Sequence, residues 1–541
     1  MTDERDRTEP DAEVVDEASM TADVPPAQPR GDTWFGHPRG LSTLFFTEMW
    51  ERFSYYGMRA LLVLFMTTPL AVANPGLGYG EGRAGAVYGL YTAMVYLLAL
   101  PGGWVADKLW GQRKAVFVGG CIIAAGHFSM AGPLVGLPEQ AFFFLGLILI
   151  VIGTGLLKPN VSSMVGDLYP RPEHHAGESP EEADYAEQWG ARRDAGFTIF
   201  YMGINVGAIL GPFICGTLGE KINWHWGFSA AGFGMVLGLI QYKVGDRHLK
   251  KAGLLKTGEG PAILSRRARN FYLSSAVVAG LAALLVYLSV TEAIALTLEQ
   301  FAQGLGYGIV ALTVLYFVYL FVAGGYGTEA KKRLLVIFWL FLLAAVFWSG
   351  FEQAGSSMNL FGRDLTDRVF WGWEMPATWL QNVNPFFIVI FAPVFGWLWT
   401  ALARRHANPS IPVKFALGLL GLAAGFFVIS WGAAQATAEN PVGVHWLIVT
   451  YFLHTCGELC LSPVGLSSIT KLAPEDRVSQ MMGIWFVAAA LGNLFAGLVA
   501  GRLETLAPSA LFWSVAVTIG GVGVLALIAS PFVQRLVGEI E

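Results

Sequence analysis

The chain has 541 residues, of which 54% are hydrophobic and only 14% are charged, and its formal net charge is −5. Soluble domains carry roughly 25% charged residues, so this composition indicates an integral membrane protein. The negative net charge excludes a nucleic-acid-binding protein, which needs a basic surface. The 65 glycines favour close packing of helices within a bilayer.

The first 39 residues are rich in Asp, Glu, Pro and Thr and contain no apolar run. A segment of this composition buries too little apolar surface to fold. It also lacks the apolar core of a cleavable signal peptide. We therefore expect a disordered tail over residues 1–39.

The first apolar segment contains a dense group of ionisable and phenolic side chains. At about 100° per residue, these side chains fall within an arc of roughly 140° on one face of a helix. They are Glu48, Glu51, Arg52, Tyr55, Tyr56 and Arg59. Because a charge that faces lipid costs roughly 2.5–3.5 kcal/mol on insertion scales, this stripe predicts a water-filled cavity lined by ionisable groups.

Apolar segments that alternate with short polar joints predict fourteen membrane-spanning helices. The predicted spans are residues 41–69, 84–106, 114–133, 140–166, 194–218, 224–244, 269–290, 301–324, 334–355, 376–402, 412–434, 444–470, 479–503 and 508–534. Residues 40–245 then form an N-terminal bundle of six helices and residues 334–541 a C-terminal bundle of six. Residues 246–333 form a cytoplasmic linker followed by an inserted pair of helices.

Two spans contain an internal repeat, residues 153–170 (GTGLLKPNVSSMVGDLYP) and residues 457–474 (GELCLSPVGLSSITKLAP). Six positions coincide without a gap, and both segments belong to the fourth span of their predicted bundle. Parallel repeats of this kind are typical of the major facilitator fold. The alternative is a chance similarity between two apolar helices that both contain Gly and Pro.

Each repeat helix carries a charged residue within its span, Lys158 in the first and Glu458 in the second. We expect the two to pair when the cavity excludes water, and to separate when a charged ligand or a proton competes. Glu352 in the ninth span is another intramembrane carboxylate, and Arg59 is its expected partner. The alternative is that these are static ion pairs, which stabilise a fold no better than apolar packing.

Lys and Arg in the joints between spans are concentrated on one side of the predicted membrane. This side contains Lys108, Arg113, Lys114, Arg192, Arg193, the segment 247–269, Lys331, Lys332, Arg333, Arg404, Arg405, Lys471 and Arg477. The opposite joints have scattered cations such as Arg83 and Lys221. The positive-inside rule therefore places the basic side and both termini in the cytoplasm.

The motif Glu48-Met-Trp-Glu51-Arg52-Phe-Ser-Tyr55-Tyr56-Gly resembles the ExxERFxYYG motif of the proton-coupled oligopeptide transporters of the major facilitator superfamily. The resemblance continues through residues 153–160, 193–205, 347–353, 384–385 and 457–466, so it covers nearly all of the chain after the tail. It implies an all-α membrane protein with twelve transmembrane helices in two bundles plus an inserted helical hairpin. It also implies a symporter of di- and tripeptides in the bacterial inner membrane, which acts as a monomer in the lipid bilayer with the proton as coupling ion and no other cofactor.

The resemblance also implies roles for individual residues. Proton coupling is expected at Glu48, Glu51, Arg52 and Lys158, and we add the buried Glu352. Substrate is expected to contact Tyr55, Tyr56, Arg59, Tyr96, Lys158, Asn160, Asn205, Asn384, Glu458, Ser462 and Trp485. Arg59 and Lys158 would face the peptide carboxylate, and Glu458 the amino group. We further expect three gating pairs, namely Arg59 with Glu352, Lys158 with Glu458, and Arg83 with Asp364.

A zwitterionic peptide also suits this cavity on physical grounds. Cations on one bundle and an acid on the other can hold both termini through charge-assisted hydrogen bonds. Tyr and Trp walls accept varied side chains, so such a site selects length more than sequence. The alternatives are a carrier of the same family for nitrate, drugs or another small solute, and a channel or receptor that does not accumulate substrate.

Some histidines have no assigned role. His174 and His175 lie in an acidic loop, residues 170–188, for which a solvated loop is favoured over a metal site. His454 lies one turn before Glu458 and either shares the cavity or packs between helices. No grouping of catalytic residues or metal ligands occurs at a shared depth in the membrane, so we expect neither an enzyme nor a metal site.

Overall fold

The computed structural model of the chain describes residues 33–169, 180–255, 261–291 and 293–537, and these residues are almost entirely α-helical. Fourteen of the helices in the described residues contain 19 or more residues, enough to span a bilayer. They are α1 (Gly40–Thr67), α2 (Glu81–Val105), α3 (Gln112–Met130), α4 (Glu139–Asp167), α5 (Pro180–Lys221), α6 (Trp224–Gly245), α7 (Pro261–Val290), α8 (Leu298–Ala323), α9 (Thr328–Phe351), α11 (Val383–Arg404), α12 (Ile411–Gln435), α13 (His445–Leu472), α14 (Val478–Ala500) and α15 (Pro508–Val537); the shorter α10 (Ser357–Asp364) follows α9. The predicted fourteen-helix architecture is confirmed.

By length and hydropathy, eleven helices in the described residues qualify as membrane spans. The long helices outside this set are α1, α3 and α6. Helix α1 fails because every window of spanning length contains at least three of its four charged residues, Glu48, Glu51, Arg52 and Arg59. These same charges line one face of the helix, so the low hydropathy of α1 comes from the residues expected to line the cavity.

Several predicted boundaries differ from the structure. Helix α5 begins at Pro180, so its first turns occupy part of the predicted acidic loop, while residues 170–179, with His174 and His175, lie outside the described residues. Helix α9 begins at Thr328, inside the predicted linker. In the predicted tail, residues 1–32 are likewise outside the described residues, but two-residue strands β1 (Thr33–Trp34) and β2 (His37–Pro38) pair antiparallel. His37 Nδ1 lies 2.8 Å from the Tyr169 hydroxyl, which ties this hairpin to the end of α4.

The internal repeat has the same packing in each bundle. A Cβ added to Gly153 in α4 would lie 2.5 Å from the carbonyl oxygen of Gly119 in α3. A Cβ added to Gly457 in α13 would lie 2.6 Å from the carbonyl oxygen of Gly418 in α12. The third and fourth helices of both bundles therefore approach through glycine at equivalent positions, which supports the repeat against chance similarity.

The inserted pair lies beside the two bundles. Helix α8 packs against α2 of one bundle and α14 of the other, with Ala302, Phe317 and Leu320 buried. Helix α7 has no buried residue within its apolar window and contacts the protein near its start, where the Trp104 and Phe271 rings are 5.7 Å apart. The pair is therefore attached to the bundles mainly through α8.

We call the end of the molecule that holds the start of α1 and the joint between α2 and α3 the inner end, and the opposite end the outer end. These names follow the orientation that the basic joints predict. Short strands lie at the outer end, where β3 (Thr366–Asp367) pairs in parallel with β6 (Val442–Gly443). Strands β4 (Val369–Phe370) and β5 (Trp373–Glu374) form an antiparallel hairpin between α10 and α11.

Candidate functional site

The charged stripe of α1 folds into a compact buried cluster. Arg52 Nε lies 2.7 Å from Glu48 Oε1 and 3.2 Å from Glu51 Oε2. Both carboxylates are 1% exposed, and neither Glu51 oxygen has a hydrogen-bond partner among the described residues. One guanidinium facing two carboxylates leaves a formal negative charge, which a proton on Glu51 would remove.

The predicted pair between Arg59 and Glu352 is present. Arg59 Nη2 donates to Glu352 Oε2 at 2.6 Å, and Arg59 Nε donates to the Tyr88 hydroxyl at 2.8 Å. All three side chains are buried, so the ion pair joins α1 and α2 of one bundle to the end of α9 in the other. Tyr88 was missed because nothing in the apolar sequence of α2 except its spacing of three from Tyr91 distinguishes it from a packing residue.

Glu352 lies where the first helix of the C-terminal bundle is interrupted. Helix α9 ends at Phe351, a helical turn spans Glu352–Gly355, and α10 begins after Ser356, whose backbone is irregular (φ −127°, ψ −99°). Gln353 Nε2 donates across to the carbonyl oxygen of Ala496 at 3.2 Å. Irregular backbone at membrane depth is tolerated only where protein or a wet cavity surrounds it, which fits this position.

Lys158 and Glu458 are not joined to each other. Lys158 Nζ lies 4.0 Å from the centroid of the Tyr96 ring, and Glu458 Oε2 accepts from Asn384 Nδ2 at 3.3 Å. The same amide nitrogen donates to Thr455 Oγ1 at 3.0 Å. Each charge thus has a partner within its own bundle, and the predicted Lys158–Glu458 ion pair is absent from this conformation.

These charges nevertheless lie around one site. Both Lys158 and Glu458 are within electrostatic range of Glu352, and Lys158 is also within range of Glu51. On α5, Tyr201 and its neighbour Met202 are 58% and 52% exposed. The Tyr201 phenol is in turn within range of Glu48. The ionisable groups of the two bundles therefore lie close enough to act on one another electrostatically.

Tyrosines form the wall between the charged groups. The Tyr55 ring stacks on Tyr91 with centroids 6.5 Å apart and meets Tyr56 edge-on at 5.2 Å. The Arg59 guanidinium lies 5.8 Å from the centre of the Tyr56 ring. The Tyr91 hydroxyl is buried with no hydrogen-bond partner among the described residues. Tyr91, like Tyr88, was missed from the sequence.

The remaining predicted contacts have mixed environments. Asn160 is buried and donates to the carbonyl oxygen of Leu156 at 2.6 Å, while Asn205 donates to that of Tyr201 at 3.1 Å. Ser462 Oγ has no hydrogen-bond partner among the described residues. Trp485 is 7% exposed and packs within the C-terminal bundle.

His454 packs between helices and does not share the cavity. Its ring is buried, 4.7 Å from the Phe426 ring, and it fills the space beside Gly425 in α12. Of the two interpretations that the sequence left open, the structure supports helix packing.

The predicted contact between Arg83 and Asp364 is absent from this conformation. The Arg83 guanidinium lies 3.9 Å above the Tyr79 ring, and both Asp364 oxygens accept from the neighbouring Arg363, at 2.6 and 2.9 Å. Arg363 is closer because it precedes Asp364 in the last turn of α10 and also donates to Thr67 Oγ1 at 2.8 Å.

The outer end is closed by close contact between the bundles. Gly85 and Gly89 of α2 face Gly497 of α14 and Gly501 just after it, and a Cβ on Gly497 would lie 2.3 Å from the Gly85 carbonyl oxygen. Asn359 Nδ2 of α10 donates to the carbonyl oxygen of Ala60 at 2.9 Å. Paired small-xxx-small segments let two helices meet at backbone distance, which leaves no passage between them.

Comparison with known proteins identifies the family. The family model described as the POT family matches residues 113–513. The peptide transporter YePEPT of Yersinia enterocolitica is 41% identical over 483 residues, which cover 88% of this chain and 90% of its own. A di-/tripeptide transporter of Lactococcus lactis subsp. cremoris is 35% identical over 515 residues, which cover 94% and 98%. A crystal structure of a mutant peptide transporter POT in complex with alafosfalin has 38% identity and a TM-score of 0.81, and the match covers 94% of this chain and 98% of that one. The chain therefore belongs to the POT family of membrane transporters, as the resemblance of its first helix indicated.

Proposed function

We propose that this protein is a proton-coupled symporter that imports di- and tripeptides across a bacterial inner membrane by alternating access. Its named relatives are peptide transporters. The observation that carries the proposal is the arrangement of Lys158 and Glu458, which lie on equivalent helices of the two bundles around one site without pairing. Opposite charges held apart in this way complement the two ends of a zwitterion.

The peptide carboxylate is held by the cations of the N-terminal bundle, Arg59 and Lys158. The amino group is held by Glu458, whose carboxylate is positioned by Asn384. Because the two termini bind to different bundles, the distance between the bundles determines which peptide length allows both termini to bind. The tyrosine wall between them contacts the peptide without selecting its side chains.

Proton coupling resides in the acids that share the site. A proton on Glu51 or Glu48 relieves the excess negative charge around Arg52, and a proton on Glu352 weakens its ion pair with Arg59. Because that pair joins the two bundles, its loss favours separation of the outer end. One charge moving down 100 mV supplies about 2.3 kcal/mol, which is the order of one buried ion pair.

Substrate class is tested with peptides whose termini are blocked one at a time. In proteoliposomes, the parent protein should take up a labelled dipeptide, and an unlabelled dipeptide should compete far better than its N-acetylated form. Glu458→Gln should reduce this discrimination by about 10-fold or more, the order of one charged hydrogen bond. Competition by nitrate or a drug with no competition by peptide would refute the peptide assignment.

Proton coupling is tested separately with Glu51→Gln. This variant should retain counterflow of labelled dipeptide, which needs binding and alternation but no net proton movement. It should lose accumulation under an imposed pH gradient. Accumulation as fast as in the parent protein would show that Glu51 is not the coupling residue.

A further inference from the structure

Two carboxylates at the outer end connect the bundles in a way that the transport proposal does not use. The first is Glu220, near the end of α5. It accepts from the Ala377 N–H at 2.8 Å, from the Thr378 N–H at 2.9 Å and from the Thr378 hydroxyl at 2.7 Å. Ala377 begins the helical turn Ala377–Asn382 that continues directly into α11. Glu220 of one bundle therefore caps the start of a helix in the other.

The second carboxylate is Glu504, in the turn that follows α14. Its Oε1 accepts from the Gly82 N–H at 2.9 Å, in the first turn of α2. A Cβ on Gly80 or Gly82 would lie 2.1 or 2.8 Å from the Glu504 carboxylate, so glycine permits the approach. The first N–H groups of a helix have no acceptor within it, and a carboxylate also complements the positive end of the helix dipole.

The two caps are related by the symmetry of the fold. Helices α5 and α14 are the fifth of their bundles, and α2 and α11 are the second. Each bundle thus contributes a carboxylate from the end of its fifth helix to the start of the partner bundle's second helix. The partners are separated by 157 residues in one case and 422 in the other, so neither cap serves local folding.

We propose that Glu220 and Glu504 are reciprocal latches that hold the outer gate closed. The inference rests on alternating access, because separation of the bundles at the outer end must break both caps. The latches act in addition to the buried Arg59–Glu352 pair. They lie on the two sides of the interface, where α5 faces α11 and α2 faces α14, so they resist the same rigid-body movement from opposite edges.

The size of each effect follows from its contacts. Glu220 is half-buried and accepts three hydrogen bonds, and its loss should raise the ratio of outer-open to outer-closed molecules about 10-fold. Glu504 is exposed and accepts one, so about 3-fold is expected. Since the two sites share no partner, the effects should multiply to about 30-fold in the double variant.

The test is a distance measurement between spin labels on the two bundles at the outer end. Labels at Val135 and Ala438, both exposed, are introduced after the native cysteines have been replaced. The distance distribution is measured in nanodiscs for Glu220→Ala, Glu504→Ala and the double variant, with Glu439→Ala as the control. Glu439 is an exposed carboxylate of the same end and has no ion pair or hydrogen bond among the described residues.

The expected result is a longer-distance population that grows in the order Glu504→Ala, Glu220→Ala, double variant, with the control unchanged. Distributions identical to the control would overturn the proposal. Glu220→Gln and Glu504→Gln keep one acceptor each and provide folded variants if alanine impairs insertion. The measurement uses no peptide and no proton gradient, so it stands even if the transported substrate proves to be a different solute. Loss of peptide uptake without any change in distance would overturn the latch proposal. It would leave the proposal of peptide transport standing.

Discussion

The outer and inner halves of the interface between the bundles are built from different kinds of contact. At the outer end, backbone meets backbone through glycines, and hydrogen bonds run from one bundle to the other. Deeper in the molecule, Lys158 and Glu458 each contact partners of their own bundle. In the proposed transport cycle, contacts that cross the interface hold the outer end shut, whereas contacts within a bundle leave the facing charges available to a ligand.

Glu352 lies at the boundary between these halves. Its ion pair with Arg59 crosses the interface like the outer contacts, yet it is ionisable and buried like the groups of the cavity. In the proposed transport cycle, this is the residue at which a proton or a ligand acts on the closed outer end. The comparison predicts that changes at this boundary have the largest effects and changes at the exposed rim the smallest.

The largest effect is expected for Arg59→Ala. It leaves Glu352 buried without its partner, which typically costs about 3–5 kcal/mol, so the outer-closed state should lose about 10²–10³-fold in population. Peptide uptake and the outer spin-label distance measure this. Arg83→Ala is the matched control, because its contact with Tyr79 is worth about 1 kcal/mol at most. An equal loss of uptake and an equal change in spin-label distance in the two variants would support a gating role for Arg83.

A second prediction concerns glycine at the closed end. Gly497→Ala places a methyl group against the backbone of α2, so the outer end cannot close fully and uptake should fall about 10-fold or more. Gly521→Ala is the control, because nothing lies within 4 Å of its added Cβ. The two variants should differ in outer spin-label distance as well as in rate. Normal closure in Gly497→Ala would mean that α2 and α14 do not seal the outer end.

A smaller effect is expected where the cavity is organised within one bundle. Asn384→Ala removes the amide that orients Glu458, and it should raise the KM for a dipeptide about 3- to 10-fold with kcat little changed. Thr455→Val removes the second contact of the same amide nitrogen and should reproduce part of the effect. If Asn384→Ala leaves KM unchanged, Glu458 does not depend on this hydrogen bond.

The smallest effect is expected at the rim. Lys221 Nζ lies 3.2 Å from Glu374 Oε2, and both side chains are substantially exposed, so Lys221→Gln should change uptake by less than about 3-fold. Burial raises the pKa of Glu374, but the charges of Arg368 and Lys221 outweigh it and hold the pKa below its ordinary value. A carboxyl with a lowered pKa contributes its stability above its ordinary pKa and loses it only as pH falls through the lowered value. The pH profile of uptake above about pH 5 should therefore be the same in Lys221→Gln and the parent protein.

Much of this architecture was predictable because it follows from apolar length, helical spacing and charge complementarity. The fourteen spans follow from apolar length, and the cluster of Glu48, Glu51 and Arg52 follows from helical spacing. The pairing of Arg59 with Glu352 follows from charge complementarity, since an unpaired charge at that depth is too costly. Equivalent glycines in α4 and α13 reproduce the repeat that the sequence contains.

The features that were missed depend on relations between distant segments. Arg83 does not reach Asp364, because Arg363, the neighbour of Asp364 in the chain, donates to both of its carboxylate oxygens. Lys158 and Glu458, on different bundles, each meet a partner of their own bundle instead of each other. Glu220 and Glu504 resemble ordinary solubilising residues at helix ends, because their partners belong to the other bundle.

Because the chain is interrupted after α9, the short helix α10 is connected to one bundle and contacts the other. The segment is covalently part of the C-terminal bundle, yet Asn359 and Arg363 fasten it to α1 of the N-terminal bundle. At 1.5 Å per residue, α10 is about 12 Å long, which is short enough for it to move as a rigid unit. In the proposed transport cycle, opening of the outer end either breaks the contacts of α10 with α1 or bends the chain at the turn before α10. That turn is Glu352–Gly355, so the bending point contains the protonatable side chain of Glu352.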